Sequence, residues 1–215
     1  MNTNTSQQEP IISLLSRVSA FTKAHKTGVL LMILAVIAAA AFGWAYKAHC
    51  DRVSEESWST YYIAQTEFTS GSDEKAIELL DQIAAKYPGT PAAQYAQLLK
   101  GDFWYSEEDF AKAADAYKPL LKARIQTVRN VAALSLAASY QANGDYKDSA
   151  ATAETFIKNN PTSVALPQAY LTLALSQELA GNKTEAIAAY THLLENYTKT
   201  YFGIFAKDKL EVLKK

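Results

Sequence analysis

The sequence predicts an all-α protein, with a single N-terminal transmembrane helix, then an α-solenoid of about four helical hairpins and a C-terminal capping helix. Three observations predict it. Twenty residues from Thr27 to Tyr46 carry no charge. Four later segments share one pattern at intervals of 36 or 37 residues. The 215 residues include only 8 Gly and 6 Pro beside an alanine-rich body, too few turn-formers for many short strands.

The first element is the apolar run TGVLLMILAVIAAAAFGWAY, residues 27–46. At about 1.5 Å per residue a helix of this length spans roughly 30 Å, the thickness of a bilayer's hydrocarbon. Val29, Leu30, Leu31, Ile33, Leu34, Val36, Ile37 and Phe42 favour insertion, by about 0.3 to 0.6 kcal/mol each. No central charge opposes them. Trp44 and Tyr46, followed by Lys47 and Arg52, are the side chains expected at one membrane interface.

Arg17, Lys23 and Lys26 precede the run, and only Lys47 and Arg52 follow closely, so residues 1–26 read as a short cytoplasmic tail. Within that tail Ile11, Leu14, Leu15, Val18 and Phe21 have helical spacing, fitting either an amphipathic helix on the inner leaflet or a plain polar tail. A cleaved signal peptide is the rival for the apolar run, with Ala38–Ala41 as the small-residue cleavage site. An apolar stretch that continues to Tyr46 and a leader of 27 residues weigh against it. The lone Cys50 excludes an internal disulfide, and its preceding Lys47, Ala48 and His49 do not suit lipoprotein processing.

Residues 51–215 contain the repeat. DEKAIELLDQI, FAKAADAYKPL, YKDSAATAETF and KTEAIAAYTHL align on the small residues Ala76, Ala113, Ser149 and Ala186. Five residues before each stand Gly71, Glu108, Gly144 and Gly181, where a tight turn between helices requires a left-handed residue. Twelve before each come Ala64, Gly101, Ala137 and Ala174, small enough for close helix approach. Four after each come Leu80, Tyr117, Ala153 and Tyr190. Pro88 and Pro161 close two of the hairpins. The final stretch TKTYFGIFAKDKLEVLKK, with Phe202, Phe205, Leu210 and Leu213 on an otherwise basic helix, reads as the cap.

The pattern resembles the tetratricopeptide repeat over roughly residues 54–200: a small residue in helix A, a G-x-aromatic turn, and Ala followed by an aromatic in helix B. Phe110 and Tyr146 fill the turn-aromatic position, whereas Asp73 and Lys183 do not. In such a stack the helix-A faces form a shared surface. Counting from the anchors places Trp58, Tyr61, Gln65 and Phe68 there from the first unit, and Tyr95, Leu98, Asp102 and Tyr105 from the second. The third offers Val131, Leu134, Ala138 and Gln141, and the fourth Gln168, Leu171, Leu175 and Glu178. The first two units are aromatic, as protein contact sites tend to be. Trp58, Tyr61, Gln65, Phe68, Tyr95, Leu98 and Tyr105 are the candidate partner-binding residues, with packing between helices the competing role for each ring.

Other functions find little support. Residues 1–50 carry a net charge of +3 and residues 51–215 one of −4, which gives no basic stripe for nucleic acid. His25, His49 and His192 lack metal-ligand spacing, and neither metal nor cofactor is expected. There is no G-x-S-x-G, H-E-x-x-H or glycine-rich phosphate loop, so the expectation is a protein that is not an enzyme. The acids Glu107, Glu108 and Asp109 fall in an inter-helix turn and are expected to stabilise the next helix's N-terminus. None of the sixteen surface positions is Lys, Arg or Asn, which disfavours a clamp for a free C-terminal carboxylate.

The short tail, the span ending in Gly43, Trp44 and Tyr46, the helix SEESWSTYYIAQTEF and the small repeat domain together resemble the YfgM-type family of bacterial inner-membrane proteins, ancillary subunits of the SecYEG translocon. The resemblance implies a periplasmic domain that meets the translocon, newly exported unfolded polypeptides and a membrane-anchored, prolyl-isomerase-like periplasmic chaperone. The expected function is therefore a membrane-anchored protein–protein interaction adaptor. A self-associating cell-envelope scaffold and a processed, soluble periplasmic repeat protein are the alternatives.

Overall fold

The computed structural model describes residues 20, 21 and 23–214. Of the apolar positions expected on an N-terminal amphipathic helix, Ile11, Leu14, Leu15 and Val18 lie outside these residues. The described chain divides between Val53 and Ser54 into two compact units. Among the described residues there are helices and turns and no strand.

Helix α1 runs Lys26–Thr69 and belongs to both units. In the first unit its apolar side chains face outward all round: Leu30, Leu31, Met32, Ile33, Leu34, Val36, Ile37, Phe42 and Trp44 are all more than half exposed. A helix apolar on every side is buried either in a protein core or in a membrane, and the apolar window of α1 is packed in no protein core among the described residues. It is long and apolar enough to cross a membrane.

The second unit contains the last part of α1, then α2 (Asp73–Lys86), α3 (Pro91–Ser106) and α4 (Phe110–Tyr117). A 3₁₀ turn over Lys118–Lys122 follows, and then α5 (Gln126–Ala142), α6 (Tyr146–Asn159), α7 (Leu166–Leu179), α8 (Lys183–Asn196) and α9 (Tyr201–Leu213). These are the four expected hairpins, α1/α2, α3/α4, α5/α6 and α7/α8, with α9 as the cap. The first helix of each is its A helix and the second its B helix.

Each hairpin turns by the same device. The amides of Ser72, Asp109, Asp145 and Asn182 donate back to the carbonyls of Glu67, Trp104, Tyr140 and Gln177 at 2.9, 3.0, 2.8 and 2.9 Å. That six-residue closure needs a left-handed residue just inside it. Gly71, Gly144 and Gly181 supply it at φ 77°, 88° and 80°, and Glu108 does so at φ 59°. Asp109 then caps α4, accepting from the Lys112 amide at 3.1 Å, as expected of an acid at that turn.

Close packing follows from the small residues. Ala64, Ala137 and Ala174 on A helices and Ala76, Ala113, Ser149 and Ala186 on B helices are all fully buried. At Gly101 a Cβ would overlap the Tyr117 ring, so only glycine admits that ring between α3 and α4. One core gathers Ala113, Tyr117, Leu120, Val128, Ala132 and Leu136. A second gathers Ala186, Tyr190, Leu193, Ala206 and Leu210, with Phe202, Phe205 and Leu213 of α9 packed against it. Ser149 Oγ donates to the Ala137 carbonyl at 2.7 Å and shares a hydrogen bond with Ser176 Oγ at 2.8 Å, tying the third hairpin to the fourth.

Hairpin endings follow local chemistry. Helix α2 stops at Lys86 before Pro88, and α6 stops at Asn159 before Pro161. Thr90 caps α3 by accepting from the Ala93 amide at 3.2 Å, with Pro91 as the first helical residue. The second hairpin differs. Pro119 has no amide proton for α-helical bonding, and α4 gives way to the 3₁₀ turn.

Candidate functional site

Helices α3 and α5, α5 and α7, and α7 and α9 are in direct contact, whereas no two successive B helices from α2 to α8 touch among the described residues. The A helices therefore share one continuous face within the second unit. Side chains three or four residues apart on an A helix lie along one stripe. Trp58, Tyr61, Gln65 and Phe68 form such a stripe on α1, and Tyr95, Leu98, Asp102 and Tyr105 form one on α3.

The first two stripes meet through their rings. Trp58 lies against Tyr95 with centroids 5.6 Å apart and meets Tyr61 edge-on at 5.5 Å. Gln65 Nε2 donates to the Tyr61 hydroxyl at 3.3 Å. Phe68 stacks on Phe103 at 4.9 Å. Tyr105 meets Phe110 edge-on at 5.2 Å. Trp58, Tyr61, Phe68, Tyr95 and Leu98 are half-buried, while Gln65 and Tyr105 are exposed. Tyr95 and Leu98 also pack on the core around Tyr117. The rings thus serve the packing and leave an aromatic surface at the same time.

On the later A helices the face changes character. Val131 is exposed and Leu134 and Ala138 are half-buried, but Leu171, expected on the surface, is buried among α7, α8 and α9. Its displacement follows from α9, which packs against both α7 and α8. Glu178 is also engaged there. It accepts from the Tyr190 hydroxyl at 2.6 Å and pairs with Lys209 of α9 at 2.8 Å. Burial works against its charge, but the Lys209 and Tyr190 hydrogen bonds outweigh it and hold the carboxyl below the ordinary range.

The second hairpin carries a similar pair. Tyr117, four residues past its anchor as Tyr190 is past its own, donates its hydroxyl to Asp102 Oδ1 at 2.5 Å. Burial, followed by the Asp102 carboxylate, pushes the Tyr117 phenol far above its usual range. Tyr61 is raised by its burial, then by Asp102 and by its neighbours Tyr62 and Tyr95. Asp102 thus stands among Tyr61, Tyr117 and the α3 stripe.

Two features escaped the sequence reasoning. Tyr62 lies one residue off the counted stripe, yet it is exposed and stacks on Trp58 at 6.0 Å; its i,i+4 relation to Trp58 was the available signal. The second is a cleft of about 480 Å³ beside the 3₁₀ turn, lined by Lys118 and Leu121, by Arg129, Leu136 and Tyr140 of α5, and by Thr152 and Phe156 of α6. Its signal was Pro119, which cuts α4 to 8 residues where α2, α6 and α8 have 14. Among the described residues no three His, Cys, Asp or Glu side chains could hold a metal ion.

The comparisons with known proteins agree with this geometry. Residues 20–155 match the model of the tetratricopeptide repeat-like domain, and residues 134–199 that of a tetratricopeptide repeat. Among solved structures, a MamA RS-1 ArsTM double mutant superposes with a TM-score of 0.60 at 19% identity, covering 75% of this chain and 84% of that one. A Podosopora anserina protein of nearly identical TPR-like repeats gives 0.56 at 18%, covering 72% and 83%. MamA 41-end from Desulfovibrio magneticus RS-1 gives 0.57 at 16%, covering 75% and 91%. At these identities the likeness concerns the fold. No match is found among curated proteins.

Proposed function

The chain belongs to the tetratricopeptide repeat-like domain family, and from that premise we propose that it is a membrane-anchored adaptor whose A-helix face binds other proteins. The observation that carries the reading is the aromatic surface of the first two hairpins, where Trp58, Tyr61, Tyr62 and Tyr95 form a ring network that is only part-buried and Tyr105 stands exposed on the same face. Such rings offer large contact area at small entropic cost. Candidate contact residues are Trp58, Tyr61, Gln65, Phe68, Tyr95, Leu98 and Tyr105.

In the finer reading residues 1–26 are cytoplasmic, 27–46 cross the inner membrane once, and 51–215 form a periplasmic repeat domain. The outward apolar residues of α1 support the span, and the excess of basic residues before the run supports the orientation. The resemblance to YfgM-type proteins adds the partners: the SecYEG translocon, a prolyl-isomerase-like periplasmic chaperone, and newly exported polypeptides. Tethering would raise the local concentration of a weakly binding face without any new contact.

The test joins topology to capture. Protease is added to spheroplasts carrying a C-terminally tagged chain, and a photo-crosslinking residue is placed at Tyr62. The adaptor reading expects loss of the tag from a full-length, membrane-bound chain, together with adducts to translocon or chaperone subunits. A protected tag overturns the periplasmic assignment. A chain already shortened near Ala41 and free of the membrane overturns the anchor. Self-adducts alone would replace the adaptor with a self-associating scaffold. Replacing Trp58, Tyr61 and Tyr105 together by Ala should reduce heterologous adducts at least several-fold while a helical melt persists.

A further inference from the structure

The second and fourth hairpins each pair the tyrosine four residues past the anchor with an acid of the A helix, Asp102 eleven residues before its anchor and Glu178 eight before its own, and only the fourth hairpin's pair is closed by a cation. In the fourth, Tyr190 donates to Glu178, and Lys209 of the next A-type helix neutralises that carboxylate at 2.8 Å. In the second, Tyr117 donates to Asp102. The residue that corresponds to Lys209 on the following helix is Ser135: Lys209 lies twelve residues past Tyr197 as Leu99 does past Tyr87, and Ser135 lies fourteen before Ser149 as Leu99 does before Ala113. The Ser135 hydroxyl lies beside the same Tyr117 phenol. A neutral hydroxyl therefore stands where the fourth hairpin has a cation. Among the described residues no Lys, Arg or His forms an ion pair with Asp102, and its side chain is exposed.

The surroundings of Asp102 favour a cation from outside the chain. None of the sixteen A-face positions is Lys or Arg, and residues 51–215 carry a net charge of −4, so approach of a positive segment is assisted and that of a negative one opposed. Tyr61 lies close enough for the Asp102 charge to act on its phenol. Aromatic faces attract ammonium and guanidinium groups as well as apolar side chains. Charge and rings thus select the same chemistry.

Resting on the reading of the A-helix face as a protein-binding surface, we propose that Asp102 receives a Lys or Arg side chain of a partner polypeptide that lies extended across Trp58, Tyr61, Tyr95 and Tyr105. The cation would neutralise Asp102 as Lys209 neutralises Glu178, while apolar residues next to it in the partner cover the rings. A cationic, apolar-flanked segment is a recognition element of a different sign from the carboxylate clamp that the sequence already disfavours.

The test uses the full-length chain in detergent micelles and two fluorescein-labelled decapeptides of Leu and Ala, one with a central Lys and the other with Gln in its place. Affinities are read by fluorescence anisotropy at low and at 0.5 M salt. The Lys peptide should bind about fivefold more tightly at low salt, with the advantage shrinking at high salt. Asp102→Asn keeps an acceptor for the Tyr117 hydroxyl while removing the charge, and should abolish the advantage while the chain keeps its helical circular dichroism and a cooperative melt. Equal binding of the two peptides to the wild-type chain, or a preference that survives Asp102→Asn, overturns the role of Asp102 and leaves the aromatic surface standing. No binding of either peptide overturns both this inference and the surface on which it rests.

Discussion

Glu108→Gly should stabilise the repeat domain, and the reason lies in a single backbone angle. Glu108 holds φ at 59° in the position where the other hairpins have glycine at 77°, 88° and 80°. A side chain in the left-handed region costs roughly 1–2 kcal/mol relative to glycine. Glycine's extra freedom in the unfolded chain gives back roughly 0.5–1 kcal/mol of that. The expected net gain is about 0.5–1 kcal/mol, a rise of about 2–4 °C in Tm for each kcal/mol in a domain of this size. Among the described residues Glu108 forms no ion pair, and its side chain is exposed, so few contacts are lost with it. The assay is thermal unfolding of the full chain in detergent, followed by far-ultraviolet circular dichroism. Gly144→Ala is the reciprocal control: its Cβ would meet nothing within 4 Å, so any loss comes from the φ of 88° alone, and its midpoint should fall. A Glu108→Gly midpoint that is unchanged or lower, beside a Gly144→Ala chain as stable as the parent, would refute the strain argument.

Three further outcomes can be checked on the same chain. Gly101→Ala drives a methyl into the Tyr117 ring between α3 and α4 and should cost about 1–3 kcal/mol in urea unfolding. Ser149→Ala leaves the buried Ser176 hydroxyl without its 2.8 Å partner, a loss of about 1–3 kcal/mol, and the Ser149→Ala/Ser176→Ala pair should lose less than the two single changes added. Because Glu178 has its carboxyl held below the ordinary 4.5 by Lys209 and Tyr190, its contribution is complete above that value and fades as pH falls through the lower folded value. Thermal midpoints of Glu178→Gln and the parent should therefore differ at pH 7 and converge as acid protonates the folded carboxyl.

Much of this fold was legible because turn chemistry and close packing leave few choices of residue. The glycines at 71, 144 and 181 and the small anchors are demanded by backbone φ and by helix separation, and those demands recur at each hairpin. Even the exception at Glu108 was visible, since register placed it before φ was known. The truncated α4 was less so: Pro119 is compatible with an α-helical start, a kink or a 3₁₀ turn, and which one results depends on how Leu120 and Ala123 enter the core. The candidate face was legible as a stripe but not as a surface. Helical spacing places Leu171 beside Leu175, yet burial by α8 and α9 is a tertiary fact that spacing does not contain. For the same reason Tyr62 was missed, since its contact with Trp58 depends on ring orientation.

The two tyrosine–acid pairs explain why a single surface has two characters. A stack of repeats must end, and its last interface gains no further hairpin to cover it. Here α9 closes it, with Phe202, Phe205 and Leu213 supplying apolar cover and Lys209 the counter-charge for Glu178. The fourth A helix is thereby committed to holding the cap. The first two hairpins have no such obligation on their A-helix face: α3 and α5 share an apolar core, and among the described residues no ion pair compensates the Asp102 charge. An uncompensated carboxylate at a part-exposed aromatic surface is tolerated because water solvates it. A partner that covers the rings removes part of that water, and the carboxylate then becomes a penalty unless the partner brings a cation. Covering the rings and neutralising Asp102 are therefore coupled, and a partner able to do only the first should bind more weakly than its contact area alone implies.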